Sequence, residues 1–335
     1  MVRSSARLAG TAVLVALSLS CVTAVAQQEA PATSAQDPAA SAQSAPASPA
    51  PAAPVFPTPN PADFTATTPT KEAVNTFMQA NLGWDDGNMF QVQAIEKTQL
   101  EGISKVVVFV GDRTGKQQPY RFAFFTTSDG KHMIVGDRIV AFGEHPFADY
   151  RSILQQRANG PYRGAASKDL ELVEFADFQC PHCKAAQANM DKLAADFPKA
   201  RIVFQNDPIG AIHPQSTIAA AYADCVTKQG GSTVFFQFAA AVFDGQDGLN
   251  TADGATLTLN SAVTKAGLDP AKIAACASTA ETKAAVDASV KLASDVNIAS
   301  VPALLINGRQ VPANTPYDML KKIIEFQVKL DGVTQ

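Results

Sequence analysis

The sequence predicts an α/β protein in which a small α+β domain with an antiparallel sheet precedes a larger α/β domain carrying a helical insertion. Hydrophobic residues make up 46% and charged residues 17% of the 335-residue chain, which excludes both a disordered protein and a bundle of membrane helices. Turn residues separate short strand-like runs in the first part, and a buried-type strand followed by an amphipathic helix opens the second. The formal charge of −4 leaves no basic footprint for nucleic acid.

Residues 1–26 have the composition of a secretory signal peptide. Two arginines precede an apolar run over residues 8–19, and Ala24-Val25-Ala26 provides a cleavage site. An uncleaved N-terminal membrane anchor is one alternative, and lipidation of Cys21 at a weak lipobox is another. The sequence therefore predicts an exported protein, periplasmic or otherwise extracytoplasmic, in an oxidising compartment where disulfides persist.

Residues 27–62 form a predicted linker, and residues 63–160 form the small α+β domain with its connecting helix. Nine of the 21 prolines lie in the linker, which predicts a disordered segment with polyproline character. In the domain, a helix is expected to begin after Thr70 and to end at Gly83. Strand-like runs then predict an antiparallel sheet ending near Phe142, with the connecting helix after it; the strands are expected at residues 90–95, 105–110, 120–126 and 132–135, and the helix at 147–156.

Residues 161–335 form the predicted larger domain. Its first strand leads into Cys-Pro-His-Cys and then into a helix that ends before Pro198. Asn307-Gly308 is a hairpin turn signal, and Thr315-Pro316 is expected to start the last helix. About 95 residues separate the second and third strands, far more than one crossover helix needs, so residues 208–299 are predicted to be an inserted helical subdomain. The three strands are expected at residues 170–175, 201–205 and 303–306.

Cys180 and Cys183 have the spacing and the context of a redox dithiol. A cysteine at a helix N-terminus faces unpaired backbone N–H groups and the positive end of the helix dipole, and both favour the thiolate. His182 can add positive charge or a hydrogen bond, and Cys183, one turn further on, is expected to be the more buried, resolving sulfur. A structural disulfide or a zinc site are the alternatives, although zinc would need two further ligands.

The segment from Glu174 to Cys183, Glu-Phe-Ala-Asp-Phe-Gln-Cys-Pro-His-Cys, resembles the active-site segment of the DsbA family of thiol–disulfide oxidoreductases. The resemblance covers about residues 165–330 and implies a thioredoxin-like core with an inserted helical subdomain, with Pro181 and His182 between the redox cysteines. It also implies that Pro302 is the cis-proline that stands beside the dithiol in this family. Such a bond would turn the backbone of Val301 toward the site, where a substrate strand could pair with it. Taken alone, Pro302 could simply start a strand.

Three further residues take their expected roles from the same resemblance. Glu174 occupies the place of a buried acid that can relay a proton to or from the inner thiol, unless its carboxyl reaches solvent. If Cys180 pairs with Cys183, the only other bridge among the four cysteines after the signal is Cys225–Cys276, and some relatives carry a second, structural disulfide. That bridge would close a loop of about 50 residues, worth ~4 kcal/mol; otherwise both thiols are free and buried.

The remaining residues that could carry chemistry have simpler explanations. His213, before Pro214, is expected to mark the start of a helix rather than to act as a catalytic base. Trp84, His132 and His145 lie in the small domain, where nothing gives them chemistry, and we interpret them as packing or surface residues.

Together these features predict an exported thiol–disulfide oxidoreductase that acts as a dithiol oxidase. Its partners would be exported proteins with free thiols and a membrane protein that reoxidises the dithiol. No metal or organic cofactor is needed, because the dithiol itself carries two electrons. Nucleic acid is not an expected partner.

Two rival functions remain open at this stage. In a reductase or isomerase, residues 63–160 would form a homodimer that shields the reduced dithiols. Val301 favours the oxidase, because isomerase-type relatives tend to have Thr before the proline. The second rival is a non-catalytic chaperone or binding module on the same scaffold, which the intact Cys-x-x-Cys disfavours.

Overall fold

The computed structural model describes residues 56–115, 118–136 and 138–333. The predicted signal peptide, Cys21 and residues 27–55 of the predicted linker lie outside the described residues. Within the described ranges, none of the helices combines the length and the hydropathy that crossing a bilayer requires.

The first sheet is antiparallel and five-stranded, in the order β1-β2-β3-β4-β5. Helix α1 (Lys71–Leu82) packs Val74, Phe77 and Met78 against one face of it. The helix begins and ends as predicted, because the Thr70 hydroxyl accepts the Ala73 N–H and the chain leaves the helix at Gly83. The strands are β1 (Asn88–Lys97), β2 (Ile103–Asp112), β3 (Tyr120–Thr127), β4 (His132–Val135) and β5 (Arg138–Ala141). The sequence did not predict β5, since four residues are too few to show an alternation.

The second sheet has the order β10-β9-β7-β8-β6 and forms the centre of the larger domain. Strand β7 is its axis: all six of its residues are buried, it runs parallel to β8 and it pairs antiparallel with β9. Four of the six residues are apolar, and Glu171 and Glu174 are the buried exceptions. A short, mostly apolar run is typical of a strand covered on both faces, which is why its position could be predicted. The strands are β6 (Tyr162–Gly164), β7 (Glu171–Ala176), β8 (Arg201–Asn206), β9 (Ala303–Ile306) and β10 (Arg309–Pro312).

Helices cover both faces of this sheet. On one side, α3 and α8 bury the predicted apolar faces, including Met190, Leu193, Leu320 and Ile324. The expected Thr315 cap is not used, because α8 begins after Pro316 without a side-chain cap. The helices are α2 (Ala148–Arg157), α3 (Pro181–Asp196), α4 (Ser216–Asp244, interrupted at Gly231), α5 (Ala252–Lys265), α6 (Pro270–Ala277), α7 (Ala280–Asp295) and α8 (Tyr317–Leu330).

The helical insertion consists of α4 to α7 and contains a disulfide between Cys225 of α4 and Cys276 of α6. Its apolar core is continuous with Phe178 and with the two redox cysteines. The insertion therefore packs directly on the segment that carries the Cys-x-x-Cys motif.

A buried arginine joins the second sheet to helix α1 of the small domain. Arg309 of β10 is 5% exposed and donates hydrogen bonds to the carbonyls of Ala80 and Asn81 at the end of α1. Its guanidinium also lies 4.2 Å from the Phe147 ring centroid, and its Nε donates to Gln327. These contacts satisfy a cation that would otherwise be costly to bury, and they fix the small domain against the edge of the second sheet.

Candidate active site

Cys180 lies where β7 leads into α3. It is the N-cap residue of that helix, with Pro181 at the first helical position, where a missing N–H costs nothing. The Cys180 carbonyl accepts the N–H groups of Cys183 and Lys184 and so starts the helix. No side chain caps α3, so the unpaired N–H groups of its first turn and the positive end of its dipole lie next to Cys180.

The two cysteines are free thiols with different exposure. Cys180 retains 5% of its surface and Cys183 none, so an incoming thiolate can reach only the first sulfur. Burial raises the pKa of the Cys183 thiol far above its usual range, against the opposing effect of the Asp177 backbone N–H, which donates to Cys183 Sγ at 3.4 Å. His182 is exposed and makes no hydrogen bond or ion pair within the described part of the chain, so the expected contact with the dithiol is not seen.

The Val301–Pro302 segment lies against the outer cysteine. The peptide bond before Pro302 is cis, and Cys180 Sγ lies 3.9 Å from the Val301 carbonyl oxygen. Pro302 leads directly into β9, the strand that pairs with β7. Two segments that are 121 residues apart in the sequence thus meet at one sulfur.

Glu174 is buried on β7 below the dithiol, and only 2% of its surface is exposed. Burial raises the pKa of its carboxyl to about 7, although the Arg163 charge and a hydrogen bond from Gln187 oppose the rise. Gln187 lies one turn after Cys183 on α3; its Nε2 donates to Glu174 Oε1 at 2.8 Å and to the Cys183 carbonyl at 3.2 Å. Gln187 thereby connects the Glu174 carboxyl to the turn of α3 that carries the inner thiol, Cys183.

The active-site loop between β7 and α3 is anchored by apolar and polar contacts that the sequence analysis missed. The Phe178 ring is fully buried among aromatic rings, with Phe204 5.2 Å and Phe243 5.1 Å away between centroids. Gln246 Nε2 donates to the carbonyls of Phe178 and Cys180. Gln246 comes from the helical insertion, so no local sequence signal could have indicated it.

Buried Asp177 and half-buried His213 form a pair next to this loop. His213 Nδ1 lies 2.9 Å from Asp177 Oδ2, and the carboxylate is 1% exposed. His213 lies in the turn that enters α4, as expected: α4 begins at Ser216, and the His213 carbonyl accepts the N–H and the hydroxyl of Ser216. Neighbouring Asp207 has its pKa raised to about 6 by burial and by the Asp177 charge. A polar residue directly after a buried strand was the available signal for Asp177.

The other residues considered from the sequence lie away from the dithiol. Trp84 packs against the core of the larger domain, His132 Nδ1 lies 3.2 Å from Asp129 in a turn of the first sheet, and His145 is exposed. No cluster of three or more His, Cys, Asp or Glu side chains suited to a metal occurs within the described ranges.

We expect replacement of Glu174 by Gln to remove a pH-dependent loss of stability. The carboxyl has its ordinary value of 4.5 when unfolded and about 7 when folded, so the folded state binds more protons across this window. The free energy of unfolding should therefore fall as pH rises from 4.5 to 7, by about 3 kcal/mol in total. Urea unfolding at pH 5 and pH 8 measures this; an equal decrease in the E174Q variant would contradict the assignment to Glu174.

Comparison with known proteins identifies related sequences and folds. A family model described as Thioredoxin matches residues 156–326, which are 171 of the 335 residues. Two Na(+)/H(+) antiporters match a short part of the chain: NhaA 3 of Salinispora tropica is 32% identical over 91 residues, and NhaA 1 of Mycolicibacterium vanbaalenii is 34% identical over 92. In both cases the match covers 27% of this chain and only 14% of the length of the curated relative.

Solved structures with a similar fold cover about half of the chain. A periplasmic thioredoxin-like protein from Salmonella enterica serovar Typhimurium has 21% identity and a TM-score of 0.44, over 54% of this chain and 96% of its own. The catalytic domain of Proteus mirabilis ScsC has 20% identity and a TM-score of 0.45, over 53% and 98%. Oxidised BdbD from Bacillus subtilis has 21% identity and a TM-score of 0.46, over 51% and 93%.

Proposed function

The chain belongs to the thioredoxin family, and from this premise we propose that it is an exported thiol–disulfide oxidoreductase that works as a dithiol oxidase. The observation that carries the proposal is the pair of free thiols at the N-terminus of α3, with only the outer sulfur accessible. Such a pair can cycle between a dithiol and a disulfide without any other group.

In the oxidising direction the protein begins with a Cys180–Cys183 disulfide. A substrate thiolate attacks Cys180 Sγ, forms a mixed disulfide and displaces Cys183 as a thiolate. A second substrate thiolate then attacks the substrate sulfur of that mixed disulfide, closes the substrate disulfide and releases Cys180. Two electrons pass from the substrate to the protein, which is left as the dithiol.

Three groups near the dithiol support different steps of this cycle. The α3 N-terminus stabilises negative charge on Cys180 when it leaves, which favours the reduced protein and hence oxidation of the substrate. Glu174, with its pKa of about 7, can give a proton to Cys183 as it is displaced. The Val301 carbonyl beside Cys180 offers an acceptor to the backbone of a bound substrate segment.

The proposal also includes export of the chain and two kinds of protein partner. The signal-like residues 1–26 would direct the chain to an oxidising compartment, where its substrates are newly exported proteins with free thiols. A membrane protein would reoxidise the dithiol after each turnover. Cys225 and Cys276, bridged inside the helical insertion, would take no part in exchange.

Oxidative refolding of a reduced substrate protein tests the proposal. Stoichiometric oxidised protein, free of other oxidants, should introduce disulfides into reduced ribonuclease A while its own dithiol appears in equal amount. The matched control is the protein with Cys225 and Cys276 replaced by Ala, which should oxidise the substrate equally well. Absence of oxidation by both proteins would overturn the oxidase assignment.

An isomerase that dimerises through its N-terminal sheet is the second candidate. Phe125, Ile134 and Ile139 are opposite one another on β3, β4 and β5, and Phe125 and Ile139 are 41% and 67% exposed. An apolar row of this kind is typical of an interaction surface. Under this candidate we expect light scattering to give twice the chain mass and Ile139→Asp to halve it, whereas Leu100→Asp, at another exposed apolar residue, should not change the mass.

A further inference from the structure

Asp177 is a buried carboxylate that the exchange cycle described above does not use. It follows β7 directly and precedes Cys180 by three residues. Its Oδ1 accepts the Gln179 N–H at 2.7 Å, its Oδ2 accepts the Ile209 N–H at 2.8 Å, and His213 Nδ1 lies 2.9 Å from the same Oδ2. A carboxylate that is removed from solvent is costly unless hydrogen-bond donors surround it, and Asp177 has three such donors.

The main chain of the same residue touches the inner thiol. The Asp177 N–H donates to Cys183 Sγ at 3.4 Å, from the peptide unit that carries the anchored side chain. A backbone donor aimed at a sulfur favours its thiolate form, and Cys183 must become a thiolate whenever it leaves or attacks a disulfide. The orientation of the Asp177 N–H therefore affects the step in which Cys183 leaves or attacks a disulfide.

Two of the three anchor points of the Asp177 carboxylate, the Ile209 N–H and His213, lie in the connection between β8 and α4, residues 207–215. A second clamp joins the same two segments: Gln179 Oε1 accepts the Gln215 N–H at 2.8 Å, and Gln179 Nε2 donates to the Leu249 carbonyl. The active-site loop is thus held from the side of the helical insertion. Loss of the carboxylate would remove the side-chain anchors of Asp177 while leaving the cysteines themselves unchanged. The Asp207 N–H, which donates to the Ala176 carbonyl of the same peptide unit at 2.9 Å, would remain as a backbone hydrogen bond.

We propose that Asp177 and His213 are positioning residues that hold the Asp177 N–H against Cys183 Sγ and so set the rate at which Cys183 exchanges with a disulfide. The inference rests on the proposed thiol–disulfide exchange. It assigns the two residues to the inner sulfur and not to Cys180, which lies at the N-terminus of α3.

Measuring the attack by Cys180 and the closure by Cys183 separately distinguishes an effect on Cys183 from general damage to the site. Reduced protein attacks oxidised glutathione through Cys180, and Cys183 then closes the disulfide and releases glutathione. A Cys183→Ser background isolates the first step. We expect Asp177→Asn to slow closure by about tenfold, the effect of one charge-assisted hydrogen bond, and to change the first step by less than about twofold.

His213 supplies a rescue test that remains informative even if Asp177→Asn does not fold. His213→Ala removes the ring donor and should slow closure by about fivefold, whereas His213→Asn can keep an N–H near the Nδ1 position and should restore closure to within about twofold of the native rate. Asp129→Asn, which removes the exposed Asp–His pair of the first sheet, is the matched control and should change neither step.

The possible results distinguish failure of the proposed function from failure of the positioning role. A native protein that does not react with oxidised glutathione at all would overturn the proposed function and this inference with it. A native protein that reacts normally, with closure unchanged in the variants or slowed only as much as the first step, would overturn the positioning role alone.

Discussion

Replacement of Cys180 by Ser is expected to abolish thiol–disulfide exchange, with a loss of at least about 10³-fold in the rate of substrate oxidation. Cys180 carries the sulfur that an incoming thiolate can reach, since Cys183 is fully buried beneath it. A serine hydroxyl cannot take the place of the sulfur in a disulfide bond. The rate is measured as the appearance of oxidised substrate under single-turnover conditions.

Cys183→Ser is the informative partner of this variant. It leaves the accessible sulfur in place but removes the resolving sulfur. When the reduced variant is mixed with a substrate protein that contains disulfides, Cys180 displaces one substrate sulfur as a thiolate, and the resulting mixed disulfide should accumulate and be visible by non-reducing electrophoresis. A Cys180→Ser protein that keeps full activity would contradict an exchange mechanism and would favour the binding-module alternative.

Removal of the Cys225–Cys276 disulfide should give the largest loss of stability. The bridge connects residues 51 positions apart, and the chain-entropy model assigns ~4 kcal/mol to a loop of that length. Cys225 is fully buried, so the alanine variants also lose some packing. Urea unfolding of the double alanine variant, compared with the native protein, measures the difference in the free energy of unfolding.

The comparison is made in a background in which Cys180 and Cys183 are both serine, so that only the structural bridge differs. Dithiothreitol should then destabilise the protein that retains Cys225 and Cys276 and should have no effect on the double alanine variant. A difference of less than about 1 kcal/mol between the two proteins without reductant would contradict a structural role for the bridge.

Local patterns were sufficient to predict much of the fold. The helix between Thr70 and Gly83 could be placed by its cap and stop residues, and strand β7 by its short, mostly apolar run. The Cys-x-x-Cys spacing placed Cys180 and Cys183 at the start of a helix, which is where α3 begins. These features depend on interactions within a few residues, and such interactions can be inferred from the sequence.

Contacts between distant segments could not be predicted in the same way. Strands β5 and β6 have four and three residues and show no usable period, whereas β10 follows the predicted hairpin turn at Asn307-Gly308. The Arg309 contacts with the end of α1 join residues that are more than 200 positions apart. His213 was correctly associated with the start of α4, but its contact with Asp177 arises only when the β8–α4 connection folds over the active-site loop.

The reduction potential of the Cys180–Cys183 pair tests the central proposal most directly. It is measured by equilibration in glutathione buffers, with the Cys225/Cys276 double alanine variant as the control for the second disulfide. A dithiol oxidase with a stabilised Cys180 thiolate should have a potential above about −200 mV. A potential below that value would mean that the dithiol reduces glutathione disulfide and that the protein rests as the Cys180–Cys183 disulfide in such buffers. That result would contradict the oxidase assignment in favour of a reductase or isomerase.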